Sequence, residues 1–337
     1  MLFRSPTALE LRFLKFLAAI PGSESLDDLL RGSEYDGERR ADYLLFDRRV
    51  IVEVKSLETD TSPKAEEEMS RHEDREDFPL FFGKVEIHKI LRHLPDGQKI
   101  NERIFVRTTR SVEDAARSAE DQIANTARLL DFSDAVGIMV LLNEDIQVLA
   151  PDLVVERLSA LLRRKKPDGS LRSPIAYAWL LFENHVVVGG PSEKTLPMIA
   201  LQGPLASSFP WFAELLNYLE VSWAQYNGRP LFQVSESDLN KLQIVPASAT
   251  KEPQPGDRMS RQDLWRHRYR KRPHLRLLPD AEVLRFGRIA FDQLMPYFLK
   301  GGPRAAWEEM EPHMIKWSDF LCEAEYRGLD LRHMREA

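Results

Sequence analysis

The sequence predicts an α/β domain, built on a mixed sheet flanked by helices, followed by an all-helical C-terminal domain. Short runs of β-branched and aromatic residues alternate with apolar residues at helical spacing over most of the chain. The length of 337 residues exceeds that of one usual domain, and 43% apolar content is enough for a large core. A stretch rich in Pro, Ser and charge then precedes a region without strand-like runs. We therefore expect domains over 1–246 and 261–337, with a linker over 247–260.

The first predicted elements are a helix and a β-hairpin. Over residues 7–19, Leu9, Phe13 and Phe16 recur at helical spacing, and the following "IPGS" ends the helix. Charged residues interrupt this apolar stretch, which favours an amphipathic helix over a signal peptide. The runs "DYLLFD" and "RVIVEVKSL" are separated only by "RR" or a similarly short turn, so they predict a hairpin.

The remaining elements continue the alternation of helices and strands. A long helix is expected from Ser111, as an N-cap with Asp114 three residues later, to about Leu130. Beyond it the pattern predicts a buried strand in "AVGIMVLLNE", a helix in "DLVVERLSALLRRKK", strands in "IAYAWLLFE" and "HVVVGG" joined through Asn184, a helix in "FPWFAELLNYLEVSWAQY", and C-terminal helices over 280–299 and 303–325.

Composition excludes several classes of protein. The single cysteine, Cys322, excludes an internal disulfide framework and is expected in the core. No apolar run approaches the roughly 20 residues that cross a bilayer, so we expect a soluble, cytoplasmic protein without a membrane partner. No Gly-rich phosphate loop of the Walker type occurs, which makes ATP hydrolysis improbable. The net charge of −6 does not by itself indicate nucleic acid.

Charge is unevenly distributed along the chain. Residues 58–77 contain nine acidic and three basic residues, and residues 258–276 contain eight basic residues and one acidic residue. Trp265 and Tyr269 interleave with the cations of the basic segment, a composition typical of phosphate-binding surfaces. The alternative for either segment is a solvated helix face. The candidate nucleic-acid-binding residues are Arg266, Arg268, Arg270, Lys271 and Arg272.

The apolar strand "VIVEVKSL" contains two charged residues, Glu53 and Lys55, whose burial requires an oppositely charged partner. Side chains alternate between the faces of a strand, so Glu53 and Lys55 are neighbours on one face. Pairing in the hairpin brings Asp42 of the preceding strand to the same end. Two carboxylates and a backbone carbonyl suit an oxygen-ligated cation such as Mg²⁺, and an adjacent lysine can orient or deprotonate an attacking water. This arrangement is suited to cutting phosphodiester bonds.

The order Asp42, ten intervening residues and then Glu53-Val54-Lys55 resembles the PD-(D/E)XK nuclease superfamily, which includes restriction, repair and phage-defence nucleases. The resemblance covers roughly residues 5–145, and Ala41 replaces the proline of the motif. It implies a restriction-endonuclease-like core in which Asp42 and Glu53 bind Mg²⁺ or Mn²⁺ and Lys55 is the catalytic lysine. It also implies supporting roles for Glu10 on the first helix and for Gln122 on the helix after the motif.

The resemblance implies a metal-dependent nuclease, with DNA favoured over RNA as substrate, acting as a bacterial anti-phage defence effector. A protein partner or a homo-oligomer is part of this expectation. One alternative is a non-catalytic binding or regulatory subunit with a nuclease fold. A second is that Glu53 and Lys55 form a structural salt bridge while Asp42 caps a strand. The histidines at 72, 88 and 93 have spacings that match no common zinc site.

Overall fold

A computed structural model describes residues 8–132, 134–188, 195–234, 242–250, 260–299 and 307–335. The chain forms two compact units. We call the described residues of 1–63 and 105–251 the sheet unit, and those of 64–104 and 252–337 the helical unit. The predicted first domain had included residues 64–104, which belong instead to the helical unit. The reason is tertiary hydrogen bonding, since the Leu80 N–H donates to Asp330 and the Leu80 carbonyl accepts from the Leu331 N–H.

The sheet unit contains a mixed six-stranded sheet, so the predicted α/β class is confirmed. The strands of this unit are β1 Glu24–Ser25, β2 Tyr43–Leu45, β3 Val50–Leu57, β4 Val136–Asn143, β5 Ile175–Phe182, β6 His185–Val188, β7 Met198–Gln202 and β8 Gln243–Pro246. The strand order in the six-stranded sheet is β1-β2-β3-β4-β5-β7, in which β3, β4 and β5 are parallel and the remaining neighbours are antiparallel. A separate antiparallel pair is formed by β6 and β8.

Helices cover both faces of this sheet. The helices of this unit are α1 Ala8–Ala19, α2 Leu26–Leu29, α6 Arg110–Leu129, α7 Pro151–Leu162 and α8 Phe212–Tyr226. Along β3, Val50, Val52 and Val54 contribute to the core on the face of α1 and α8, while Ile51 contributes to the core on the face of α6 and α7. This alternation explains why the strand is apolar at successive positions.

The helical unit is built from two apolar clusters. One includes Tyr269, Leu284, Phe320 and Cys322, and the other includes Met69, Leu91 and Ile100. Over the described residues from 260 onward, the predicted all-helical C-terminal region is confirmed, as is the burial of Cys322. The helices, of which α3 begins and α5 ends in the sheet unit, are α3 Ser62–Ser70, α4 Ile87–Leu91, α5 Gly97–Thr108, α9 Arg261–Lys271, α10 Asp280–Leu294 and α11 Trp307–Arg327.

The hairpin is confirmed, but its connection is longer than predicted. Leu45 pairs with Val50, so the turn consists of residues 46–49. Phe46, Asp47 and Arg48 all adopt positive φ values, between 53° and 65°, which cost energy in residues other than glycine. The Arg48 guanidinium holds the turn by bonding both carboxylate oxygens of Glu24.

Other sequence predictions differ from the structure in particular elements. The predicted cap at Ser111 is wrong, because α5 ends at Thr108 and α6 begins at Arg110, which leaves Ser111 inside the helix. The predictions omitted α5 and β7, and the adjacent strands β5 and β6 belong to different sheets. In the predicted linker, residues 247–250 form a 3₁₀ turn, and residues 251–259 lie outside the described part. Residues 303–306 of the last predicted helix also lie outside the described part. No described helix is long and apolar enough to cross a membrane.

Candidate active site

Asp42 lies immediately before β2, beside the C-terminal half of β3. Its backbone N–H donates to the Val52 carbonyl at 3.0 Å, and its carboxylate Oδ2 accepts a 2.7 Å hydrogen bond from the Val54 N–H. The N–H and C=O of one strand residue leave the strand on the same edge, so the Val54 carbonyl is directed to the edge where Asp42 lies. This geometry places one carboxylate and one main-chain oxygen on the same side of β3.

Glu53 and Lys55 project from the face of β3 that α6 covers. The Glu53 residue is only 1% exposed, and its Oε1 contacts the Lys55 ammonium directly. The Lys55 side chain is 22% exposed, and its Nζ also donates to Gln122 Oε1 at 2.7 Å. The second Glu53 oxygen, Oε2, is buried without a hydrogen-bond donor from the described residues. The fold therefore buries this carboxyl group beside the carboxyl of Asp42, and Lys55 is its one cationic partner among the described residues.

The two carboxyl groups have raised pKa values. Burial, together with the neighbouring Asp42 carboxyl, raises the pKa of Glu53 to about 9 against the opposing effect of Lys55. Burial also raises the pKa of Asp42 to about 6, although the Val54 N–H and Lys55 favour its ionised form. Lys55 alone thus supplies too little positive charge for both groups to ionise readily. An additional cation between them would remove this deficit.

The segment leading to Asp42 is attached to one face of α6. Gln122 Nε2 donates to the Arg40 carbonyl at 2.7 Å, and Asn125 Nδ2 donates to the Arg39 carbonyl. The buried Thr126 hydroxyl accepts a 2.8 Å hydrogen bond from the Ala41 N–H. These three α6 residues share a face of the helix because they are three or four positions apart. Together they fix the backbone that presents Asp42.

Sequence reasoning missed Asn125 and Thr126, together with Ser118, which donates to Gln122 Oε1 at 2.9 Å. A signal was present. Ser118, Gln122, Asn125 and Thr126 recur at helical spacing beside an apolar stripe that points into the core. Polar residues at such positions need hydrogen-bond partners, which indicates a facing segment of backbone. The identity of that segment depends on tertiary structure.

Glu10 lies on α1, which packs on the opposite face of the sheet from α6. Its Oε2 accepts a 2.8 Å hydrogen bond from the Ser56 hydroxyl, and Ser56 projects from β3 on the face opposite Glu53 and Lys55. Glu10 still lies close enough to contribute to the raised pKa of Asp42. The structure therefore brings Asp42, Glu53, Lys55 and Gln122 together, with Glu10 at the same end of β3 but bonded to Ser56.

The basic residues predicted to bind nucleic acid belong to the helical unit. Along α9 and just after it, Arg268, Arg270, Lys271 and Arg272 are exposed and Arg266 is partly exposed. None of the five forms an ion pair with a residue in the described ranges. The interleaved aromatic side chains are buried, so they contribute to the core of the unit and offer no surface for stacking with bases.

The acidic residues of segment 58–77, which we call the acidic block, are partly neutralised by cations of the helical unit. Arg71 pairs with Glu67 and Glu68, and Arg103 also bonds Glu68 at 2.8 Å. Arg75 pairs with Asp77, and its guanidinium also bonds Asp96. Several acids of the block therefore have local partners.

The described residues contain no group of three or more His, Cys, Asp or Glu side chains arranged to hold a metal ion. The candidate set at β3 has two such side chains, Asp42 and Glu53, and its further ligand would be a main-chain oxygen. Comparison of the chain with family models, curated proteins and solved structures finds no match.

Proposed function

We propose that this protein is a metal-dependent nuclease that hydrolyses phosphodiester bonds, with Asp42 and Glu53 as ligands of Mg²⁺ or Mn²⁺. One observation carries the proposal: among the described residues, the buried Glu53 lies beside a second carboxyl group, has one lysine as its cationic partner, and has no hydrogen-bond donor to its Oε2. A buried carboxylate is normally paired, so ionisation of Glu53 beside Asp42 is costly unless a cation completes the site.

The residues fit a hard divalent cation. Carboxylate and main-chain oxygens are its preferred ligands, and Mg²⁺ usually retains several waters beside one or two carboxylates. When bound, such a metal lowers the pKa of a coordinated water and offsets negative charge on the phosphate. The Lys55 ammonium, held by Gln122, would orient the attacking water, and in its neutral amine form Lys55 would take the proton of that water. Gln122 is itself fixed by the Arg40 carbonyl, so it presents its Oε1 to Lys55 in one orientation.

The order of elements supports the same proposal. Helix α1, the β2–β3 hairpin, helix α6 and strand β4 follow one another, and β4 runs parallel to β3. This is the order that the resemblance to the PD-(D/E)XK superfamily implies. The preference for DNA over RNA, a cytoplasmic location, a role in anti-phage defence and a partner or homo-oligomer belong to the proposal through that resemblance. The exposed cations of α9 and Arg272 are its candidate phosphate-binding surface.

A second function has one observation in its favour. The direct contact between Lys55 and Glu53 is also what a structural ion pair would show, as expected of a binding or regulatory subunit. The two functions differ in the effect of removing the lysine. A catalytic lysine affects cleavage without being needed for folding, whereas a structural partner of a buried carboxylate stabilises the fold.

The test measures degradation of linear, circular and single-stranded DNA and of RNA, with Mg²⁺ or Mn²⁺, by the wild type and by Lys55→Ala. Exposed Lys15 on α1 offers a matched control, Lys15→Ala. We expect Lys55→Ala to lose at least about 100-fold in rate while keeping its melting temperature. Cleavage retained by Lys55→Ala would contradict the proposal. Absence of cleavage by the wild type, with a much lower melting temperature for Lys55→Ala, would favour the structural ion pair.

A further inference from the structure

Arg39 is an exposed cation three residues before Asp42. Its Nη2 donates a 2.9 Å hydrogen bond to the hydroxyl of Ser118, a neutral group, and no carboxylate among the described residues forms an ion pair with it. The adjacent Arg40 differs in both respects, because its side chain is largely buried and bonds Asp27. The two neighbouring arginines therefore have different roles, and only Arg40 holds the loop together.

Arg39 lies near Lys55. The Ser118 hydroxyl that accepts from Arg39 donates to Gln122 Oε1 at 2.9 Å, and the same oxygen accepts from Lys55 Nζ at 2.7 Å. The distance from Arg39 Nη2 to Lys55 Nζ therefore cannot exceed the sum of these three donor–acceptor distances. Two cations thus lie along α6 at the edge of the carboxylate pair, one inside the site and one at its exposed side.

The position of Arg39 is fixed by its backbone. Its carbonyl accepts from Asn125 Nδ2, and the next two residues are held by Gln122 and Thr126. None of these bonds involves the guanidinium. The backbone anchor should therefore survive replacement of the side chain, which loses only its bond to the half-buried Ser118.

We propose that Arg39 binds a phosphate of the nucleic-acid backbone next to the phosphodiester bond that is cleaved, an inference that rests on the proposed nuclease function. A guanidinium presents paired N–H donors that match two phosphate oxygens, and hydrogen bonds between charged groups are about twice as strong as neutral ones. A phosphate would replace Ser118 as its partner. Arg39 is then a binding residue that places the strand, while Lys55 acts at the reacting atoms.

The test is steady-state cleavage by Arg39→Ala over a range of salt concentrations, using a labelled oligonucleotide that the wild type cleaves. We expect KM to rise about tenfold, the loss of one charge-assisted contact, with a smaller change in kcat. The slope of log(kcat/KM) against log salt should become shallower by about 0.7 to 0.9, the value for one phosphate contact. Arg39→Lys should keep most of the salt slope but only part of the affinity, because lysine retains the positive charge but lacks the paired N–H donors of the guanidinium.

Two control variants separate phosphate binding by Arg39 from support of its neighbours and from a general loss of surface charge. Ser118→Ala removes the link between Arg39 and Gln122 but keeps the cation, so it should leave the salt slope unchanged. Arg163→Ala removes an exposed arginine at the end of α7. Helix α7 leads from the end of β4 back to the start of the parallel strand β5, so Arg163 lies at the end of these strands opposite to the candidate site. This variant should leave KM and the slope unchanged.

The outcomes distinguish this inference from the proposed function. A wild type that cleaves, with Arg39→Ala unchanged in KM and salt slope, would overturn the role of Arg39 and leave the nuclease in place. Equal losses in Arg39→Ala and Ser118→Ala without a change in slope would show that Arg39 only supports Gln122. A wild type that cleaves no substrate would overturn both proposals.

Discussion

Two buried glutamates of the sheet unit have opposite surroundings. Glu113 on α6 is 5% exposed and bonds three arginines: Arg157 directly, Arg117 at 2.6 Å and Arg164 at 3.1 Å. Burial alone would raise the pKa of Glu113, but the hydrogen bonds and charges of these arginines outweigh it and lower the pKa. Glu53 is buried as deeply, contacts one lysine and has a raised pKa.

The helical unit repeats the arrangement found at Glu113. Glu323 is fully buried, accepts from the Tyr269 hydroxyl at 2.6 Å, and bonds both Arg276 and Arg327. Its pKa is lowered although burial acts in the other direction. Glu113 and Glu323 therefore have enough donors, whereas Glu53 Oε2 and Oδ1 of the buried Asp319, whose pKa burial raises, have none among the described residues. Glu53 differs from Asp319 in having a second carboxyl group, that of Asp42, beside it, which is why we expect a cation there.

The largest effect is expected from breaking the compensated site. Glu113→Gln leaves the largely buried Arg157 without its carboxylate, and removing one partner of a buried pair costs about 3–5 kcal/mol. Urea unfolding at neutral pH measures this loss. Glu53→Gln should instead raise stability at neutral pH without divalent cations, because the wild-type carboxyl is ionised when unfolded and protonated when folded, a cost that glutamine does not carry. Equal losses in the two variants would remove the contrast.

When a divalent metal ion is added, substitution of Glu53 or Asp42 should lower the melting temperature relative to the wild type. At a metal concentration about 100 times its Kd, ligand binding stabilises a folded protein by about 2.7 kcal/mol. We expect Mg²⁺ or Mn²⁺ to raise the melting temperature of the wild type and of a variant with an unrelated surface change, Lys15→Ala. The rise should be absent in Glu53→Gln and strongly reduced in Asp42→Asn. A rise that is undiminished in Glu53→Gln would place the metal elsewhere.

The two glutamates should also impose opposite dependences on pH. The folded pKa of Glu53 lies above its ordinary value of 4.5, so metal-free stability should fall as pH rises from there toward about 9. The slope for one full proton is about 1.4 kcal/mol per pH unit. Glu113 has a lowered pKa, so its stabilisation is present above 4.5 and is lost as pH falls below that value. In EDTA, Glu53→Gln should remove only the fall in stability between pH 4.5 and about 9. Glu113→Gln should remove only the loss of stability below pH 4.5.

The smallest effect concerns the backbone that presents Asp42. Thr126→Val removes the acceptor for the Ala41 N–H and should cost about 1 kcal/mol, together with a weaker metal affinity. Thr108→Val is the matched control, because the buried Thr108 hydroxyl has no hydrogen-bond partner among the described residues. That substitution should be neutral or slightly stabilising. A loss of stability at both positions would point to packing of the valine and would argue against the hydrogen bond.

Local patterns predicted much of the sheet unit correctly. The first helix, the β2–β3 hairpin, the buried strand β4 and the helices α7 and α8 follow from spacing along the chain. The convergence of Asp42 with Glu53 and Lys55 was expected for the same reason, because alternation along a strand and pairing in a hairpin are both local. An error of two residues in the turn did not separate Asp42 from β3, where it bonds the Val54 N–H.

Other features depended on contacts between distant segments. The failed cap at Ser111 shows the limit, because nothing near it in the sequence indicates that α5 runs directly into α6. The membership of residues 64–104 in the helical unit depends on partners about 250 positions away, such as Leu80 and Asp330.

The sequence by itself determined which residues form the hairpin and which face of β3 carries Glu53 and Lys55. Only the tertiary structure decided how those charges are compensated. The three arginines around Glu113 come from α6, from α7 and from beyond α7, whereas α6 gives Lys55 a glutamine and gives Glu53 Oε2 no donor. The physical reason is that side-chain direction follows from neighbouring residues, while the burial and pairing of a charge follow from everything that packs against it.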